Sequence, residues 1–383
     1  MSISRRKLLG KLGAAAIAGA GINALEGSAR AAQSMDMPMP PHREGGTILL
    51  NRNENAYGPS AQVVLAMQRS LTRANRFPRK ASEDLASQIA AFHKVKPDQV
   101  VVGCGSTEIF KSAVDAYLGS GKTLILSSPT FDVIGTYASA SGARVASVPL
   151  SRFWSNDLDG MLGRVDASTG LIYICNPNNP TAILNSRSEL ETFIGKLPAN
   201  VRVIIDEAYH HYAGNSSSYA SFIDRPMDDE RVIVTRTFSK IHALAGLRVG
   251  YAIAGAQTAR ALCAHSFQEN LNVVAAEAAM AALLDTQSVQ VNIQRNADNR
   301  QEFLNQAYAR MMRPLDSHTN FVMFKTVRTA DELIDHFRQY NIQIGPRYPS
   351  MENYIRVSIG LPEEMKEFWR VWDLMPFINK MAM

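Results

Sequence analysis

Val201-Arg202-Val203-Ile204-Ile205-Asp206-Glu207-Ala208-Tyr209 and Arg231-Val232-Ile233-Val234-Thr235-Arg236-Thr237-Phe238-Ser239-Lys240 share one pattern, an apolar run followed by chemically able polar side chains. Val201 to Ile205 and Arg231 to Val234 read as buried parallel strands, because both faces of such strands are covered and the run shows no alternation. In an open α/β sheet the carboxyl ends of the strands are where ligands bind. Asp206, Tyr209, Thr237, Ser239 and Lys240 are thus delivered to one rim, with Arg248 eight residues beyond the lysine.

Upstream and downstream the strand pattern alternates with helix pattern. Strands are expected at Gln99 to Gly103, Lys122 to Ser127, Arg144 to Pro149, Leu171 to Cys175 and Arg248 to Ala254, with helices entering near Thr107, across Asp132 to Ser141 and across Ser188 to Gly195. Such alternation predicts a mostly parallel sheet between two helical layers. From about Arg260 the pattern turns helical, with a long stretch from Ser288 to Met312. Shorter strands at Asn320 to Lys325, Ile342 to Ile344 and Tyr354 to Ile359 then alternate with helices at Asp331 to Tyr340 and Pro362 to Leu374, which predicts a smaller second α/β domain. The expected division is a leader at 1–31, a linker and arm at 32–70, a large domain at 71–265 and a small one at 266–383.

The 383 residues carry a formal net charge of +5, but Arg5, Arg6, Lys7, Lys11 and Arg30 against Glu26 place most of it in the first 31 residues. The remainder is nearly neutral, so no nucleic-acid surface is expected. Ser4-Arg5-Arg6-Lys7-Leu8-Leu9, a Gly/Ala-rich apolar stretch and Ala29-Arg30-Ala31 resemble a twin-arginine export signal with its cleavage site, implying the export machinery as a partner and a periplasmic location. Lys11 and several glycines interrupt the stretch, which argues against a permanent membrane span. Cys104, Cys175 and Cys263 are too few and too dispersed for a disulfide framework. The Met/Pro-rich segment Met35 to His42 has soft-metal ligands but reads as a linker, and His210-His211, taken as neighbouring strand residues, would point to opposite faces. No metal is expected.

The rim residues suit pyridoxal 5'-phosphate. Such a cofactor needs an amine to condense with its aldehyde, a carboxylate beside its ring nitrogen, and hydroxyls and a cation around its phosphate. Lys240 is the amine, and Asp206, costly to bury unpaired, is the carboxylate. Gly103-Cys104-Gly105-Ser106-Thr107-Glu108 joins a strand to a helix, where the amides of Ser106, Thr107 and Glu108 can converge on a phosphate. Thr237, Ser239 and Arg248 add hydroxyls and a guanidinium. Asn179, in the doubly proline-locked turn Asn176-Pro177-Asn178-Asn179-Pro180-Thr181, presents an amide to a ring oxygen that Tyr209 also reaches, and Phe131 stacks on the ring.

Taken together, Asn179, Asp206, Tyr209, Lys240 and Arg248 resemble the fold-type I aminotransferases of the aspartate aminotransferase superfamily, with a nearer likeness to the histidinol-phosphate aminotransferases. The likeness runs from Asn51-Arg52-Asn53-Glu54-Asn55-Ala56-Tyr57-Gly58-Pro59 through Arg76-Phe77-Pro78 and Leu244-Ala245-Gly246-Leu247-Arg248 to Tyr354-Ile355-Arg356-Val357-Ser358-Ile359-Gly360. It implies a large three-layer domain with a smaller C-terminal one, nitrogen transfer from an amino donor to a 2-oxo acid such as 2-oxoglutarate, and a homodimer. It also implies that Arg356, with Asn55 and Tyr57, binds substrate. Three departures stand out. Phe77 replaces a tyrosine whose hydroxyl reaches the neighbouring subunit's cofactor, Ala182 replaces a glycine, and Ile344-Gly345-Pro346-Arg347 brings its arginine late. An aromatic or other amino-acid aminotransferase, a decarboxylase or lyase on the same scaffold, and a non-catalytic ligand sensor remain the alternatives.

Overall fold

The structure is a computed structural model that describes residues 46–214, 216–224 and 229–376. The leader at 1–31 and the Met/Pro segment up to His42 lie outside the described residues.

The strands in chain order are β1 (Ile48–Leu50), β2 (Val100–Gly103), β3 (Thr123–Ser128), β4 (Arg144–Pro149), β5 (Thr169–Cys175), β6 (Arg202–Asp206), β7 (Val232–Thr237), β8 (Gly250–Ala254), β9 (Arg313–Pro314), β10 (Phe321–Lys325), β11 (Ile342–Ile344) and β12 (Tyr354–Ser358). Seven form one sheet in the order β2-β8-β7-β6-β5-β3-β4. Strands β3 to β7 are parallel, and β8 runs antiparallel between β7 and β2. This is the fold-type I architecture expected from the sequence.

Period-two geometry splits each strand between two cores. Ile172, Ile174, Val203, Ile205, Val232 and Val234 pack with Leu85, Ile89, Leu190 and Ile194 on one face. Leu171, Tyr173, Ile204 and Ile233 pack with Phe110, Val114 and Leu262 on the other. Both faces are dry, which is why these strands read as continuous apolar runs. The helices that return the chain are cut by local signals. Ser186 and Glu189 close a reciprocal cap at the start of Arg187–Gly195, satisfying amides that have no partner within the helix.

A further core gathers Phe303, Phe324, Phe337, Phe368 and Trp369, with the Phe337 and Phe368 rings stacked 4.7 Å apart. It is built on the sheet β12-β10-β9 and the pair β1-β11. The expected boundaries shift here. The helix Val273–Leu284, read as small-domain material, packs its alanines with Val63 and Leu85 in the large core, as does Ala61–Ser70 from the supposed arm. Conversely β1 pairs with β11 and belongs to the small-domain core. An alanine-rich helix apolar on nearly every side has no stripe to reveal which core it enters.

His210-His211 is not on a strand. The pair opens the one-turn helix His210–Ala213, so the alternation argument does not apply, and the two rings lie 4.9 Å apart. Among the described residues no three or more His, Cys, Asp or Glu side chains converge as a metal site, and no helix is long and apolar enough to cross a membrane. All three cysteines are free.

Candidate active site

Register brings the rim together. Cys175 faces Asp206 across β5 and β6, and Asp206 faces Thr235 across β6 and β7. Gly250 on β8 is paired with Thr237 on one side and Gly103 on the other, so the strand-to-helix loop after β2 is set beside the lysine turn. A Cβ on Gly250 would collide with the Ser106 amide nitrogen, which shows how closely loop and strand approach.

The rim opens on a cavity of about 930 Å³ lined by Ser106, Thr107, Phe131, Asn179, Asp206, Tyr209, Thr237, Ser239, Lys240, Arg248 and Arg356. At one end, Ser106 and Thr107 start the helix Ser106–Tyr117, whose first amides and dipole favour an anion. Arg248 Nη1 donates to Ser239 Oγ at 3.3 Å and to Ala245 O at 3.1 Å, and Nη2 reaches Thr107 Oγ1 at 3.5 Å. Among the described residues Arg248 meets hydroxyls and a carbonyl but no carboxylate. Helix start, two hydroxyls and an uncompensated guanidinium fit a phosphate dianion.

In the middle, Asp206 is buried, and its Oδ1 accepts from Thr235 Oγ1 and the Ala208 amide, both at 3.2 Å. Burial pushes its pKa up to about 6 despite the donors from Tyr173, Thr235 and Ala208. No lysine or arginine pairs with it among the described residues, so the carboxylate is free to take a cationic partner from the cavity. Lys240 Nζ donates to Arg52 O at 3.1 Å and Asn53 O at 3.0 Å. Burial first, then Arg356 and Arg248, bring its pKa down to about 8 against the pull of Glu54 and Asp206. At pH 7 roughly a tenth of such an amine is neutral, against about one part in 3,000 at an ordinary lysine pKa.

At the far end, Arg356 is buried, with Nη1 on Asn179 Oδ1 at 2.5 Å and Nη2 on Asn51 O at 2.6 Å. Its Nε has no hydrogen-bond partner among the described residues. Among the described residues this buried guanidinium meets neutral oxygens and the Phe321 and Tyr348 rings but no carboxylate, which suits it to an anion. Because Asn179 gives its oxygen to Arg356, its amide nitrogen is the group left for a cofactor oxygen. The Tyr209 hydroxyl accepts from Asn53 Nδ2 at 3.0 Å, and burial raises its pKa, so it keeps its proton.

Three expected contacts lie elsewhere. The Glu108 amide bonds to Gly105 O within the first helical turn, and its carboxylate accepts from Cys104 N, Phe267 N and Asn270 Nδ2, so Glu108 fixes the loop and does not line the cavity. Asn55 Nδ2 donates to Ile241 O, and the Tyr57 hydroxyl accepts from Asn299 Nδ2. Both line a separate small crevice, because the chain turns away from the cavity after Glu54. Missed from the sequence were Asn53, which at φ 54° joins Tyr209, Lys240 and Ser358, and Tyr173 with Thr235, which hold Asp206. Asn53 stands in the quoted motif near the start. Tyr173 is hidden in an apolar run.

Residues 46–370 match the family described as aminotransferase class I and II. The chain is 33% identical over 318 residues to the histidinol-phosphate aminotransferase of Akkermansia muciniphila, covering 83% of this chain and 86% of that one. The crystal structure of histidinol-phosphate aminotransferase from Sinorhizobium meliloti in complex with pyridoxal-5'-phosphate superposes with a TM-score of 0.80 at 25% identity, over 86% of this chain and 92% of that one. L-Threonine-O-3-phosphate decarboxylase from Porphyromonas gingivalis shares the fold at a TM-score of 0.74 and 20% identity, over 85% and 98% of the two chains.

Proposed function

Because this chain belongs to the class I and II aminotransferase family and is a pyridoxal-phosphate-dependent aminotransferase, we propose that its cavity holds the cofactor with Lys240 at the aldehyde carbon and Asp206 at the ring nitrogen. Phe131 would cover the ring face, and Asn179 and Tyr209 would bond the ring hydroxyl. Ser106, Thr107, Thr237, Ser239 and Arg248 take the phosphate. The cofactor supplies an electron sink for the bond broken at the substrate Cα. The chain does the rest. Arg356 grips the substrate's anionic group, and the neutral Lys240 Nζ accepts the Cα proton and returns it one position along.

The observation that carries this reading is the buried Arg356 guanidinium, without a carboxylate partner among the described residues, at the opposite end of the cavity from Arg248, with the amine and carboxylate of Lys240 and Asp206 beside the same space. An amine bearing an anion fits there. Likeness to the histidinol-phosphate enzymes favours histidinol phosphate as donor and 2-oxoglutarate as acceptor. A local observation favours a second donor class, an aromatic or other amino acid. Arg347 pairs outward with Asp331 at 3.4 Å and Glu352 at 3.2 Å, and a side chain at Gly345 would strike Arg356 O. The segment 345–348 therefore offers the cavity Pro346 and Tyr348 rather than a second cation. Leu71, Phe77 and Phe267 are exposed, and a second copy of the chain covers them in this proposal. The basic run Ser4 to Leu9 supports export to the periplasm.

The test follows the cofactor's absorbance as the purified enzyme meets histidinol phosphate, glutamate and phenylalanine in turn. Conversion to the amine form by histidinol phosphate and glutamate is expected. Conversion by phenylalanine in place of histidinol phosphate establishes the second donor class, and release of carbon dioxide or ammonia without any need for a 2-oxo acid overturns the transferase reading.

The phosphate loop gives a separate expectation. Gly105 has φ 74°, and a Cβ there would collide with the Arg248 guanidinium. Gly105→Ala therefore strains the backbone by ~1–3 kcal/mol and displaces Arg248. A roughly 10-fold to 100-fold rise in the pyridoxal-phosphate Kd is expected on equilibrium titration, with the unfolding midpoint measured alongside.

A further inference from the structure

We infer that Tyr173 is a positioning residue for the ring-nitrogen end of the site, holding the Asp206 carboxylate charged and aimed into the cavity; this rests on the assignment of Asp206 above. Tyr173 is fully buried on β5, and its hydroxyl lies 2.8 Å from Asp206 Oδ2. An ionised carboxylate only accepts, so the phenol is the donor. Burial and the neighbouring carboxylate raise the Tyr173 pKa, and the hydroxyl keeps its proton throughout the working range.

Packing explains the ring but not the hydroxyl. Tyr173 meets Phe110 edge to face at 5.3 Å, and Phe110 stands 6.4 Å from Phe131 in the cavity wall. A phenylalanine would fill that layer equally well, whereas a hydroxyl buried among Phe110, Leu171 and Ile204 is costly without a partner. It donates to Asp206 Oδ2, with the Cys175 thiol a second neighbour of the same hydroxyl. The two bonds to Oδ1, from Thr235 and Ala208, are longer, and together the three donors fix the carboxylate in both rotation and charge. Sequence order concealed this contact. The Cys175–Asp206 register places Tyr173 two residues back on the adjacent strand, a diagonal reach that a long side chain can make.

The consequence is a pH-dependent one. The ionisable and charged groups around Asp206 are Tyr173 and Cys175 from β5, Glu207 and Tyr209 from its own segment, and Lys240 from the turn after β7. Glu207 opposes ionisation of Asp206, and Tyr173 is the largest influence in its favour. Without the hydroxyl, Asp206 takes up its proton at higher pH. A neutral Asp206 no longer holds a protonated ring nitrogen, so cofactor binding weakens from the acid side.

The experiment compares pyridoxal-phosphate Kd for wild type and Tyr173→Phe across pH 6 to 9, taking the ratio so that shared titrations of Lys240 and the phosphate cancel. The ratio is expected to stand near unity at the alkaline end and to rise about tenfold at the acid end, the size of one charge-assisted hydrogen bond. In an Asp206→Asn background the same substitution should leave the ratio flat. A ratio that is flat in the wild-type background, whether at unity or raised uniformly by a loss of packing, overturns the inference. Failure of the wild-type chain to bind pyridoxal phosphate would instead refute the site assignment on which it rests.

Discussion

Lys240→Ala lowers kcat by about 10⁴-fold or more, while the enzyme still binds pyridoxal phosphate through its other contacts. The size follows from two lost roles. In the proposed site Lys240 Nζ is both the amine that captures the cofactor and the base that moves the Cα proton, a step for which a positioned side chain contributes ~10²–10⁴-fold by itself. The remaining anchors, Arg248, Ser239, Asp206 and Asn179, are untouched by the truncation, so retention of cofactor separates chemistry from binding. Stopped-flow absorbance with a competent donor is the measurement, and near-normal turnover would be incompatible with the assignment. The pH dependence has a definite sign. The neutral amine is the reactive form, and the folded pKa lies near 8, below the ordinary value. Capture of pyridoxal phosphate by the apoenzyme is therefore expected to quicken about tenfold from pH 6.5 to 7.5 and to flatten above pH 8. The same depressed pKa contributes stability that is present above the unfolded value of 10.5 and lost as pH falls through about 8.

Asp206→Ala is the second large effect. A buried carboxylate with three donors and no cation among the described residues is stabilised further by a cationic partner, and truncating one member of a buried, hydrogen-bonded charge pair costs ~2–5 kcal/mol. In kinetics that corresponds to a fall of roughly 30-fold to several thousandfold in kcat/KM. Asp206→Asn keeps the shape and loses the charge, so it is expected to lose most of the activity while retaining the fold. Without cofactor the sign reverses. The folded pKa of Asp206, near 6, lies above the ordinary carboxylate value of 3.8, so its contribution to apoprotein stability is full below 3.8 and lost as pH rises through 6. The Asp206→Asn apoprotein should thus be the more stable of the two at neutral pH, as an unfolding titration would show.

The fold was legible where apolar runs are buried on both faces. Arg144 to Pro149 and Ile342 to Ile344 agree to the residue, the strand ending at Cys175 differs only at its start, and the one expected at Val201 to Ile205 lies one residue later. What is carried by tertiary partners was hidden. The alanines of Val273–Leu284 could pack in either core, and a single short strand such as Ile48–Leu50 shows its partner only in three dimensions. The cavity residues were legible because the chemistry demands particular side chains at strand ends. Glu108, Asn55 and Tyr57 were misplaced for a different reason. Glu108 and Asn55 each follow a lining residue directly and Tyr57 stands three residues past Glu54, and the direction of the amide or side chain depends on a turn that residue type does not reveal. Tyr173 escaped notice because its ring suits an apolar strand and only the β5–β6 register shows where its hydroxyl ends.

The most direct measurement of the central claim is reductive trapping. The purified enzyme, loaded with pyridoxal phosphate, is treated with borohydride, digested and mapped by peptide mass spectrometry. The expected result is one stoichiometric phosphopyridoxyl group on Lys240, with loss of the visible absorbance band and none of the label in Lys240→Ala. Label on another lysine, or its persistence in Lys240→Ala, would contradict the assignment of this cavity as the site of amino-group transfer.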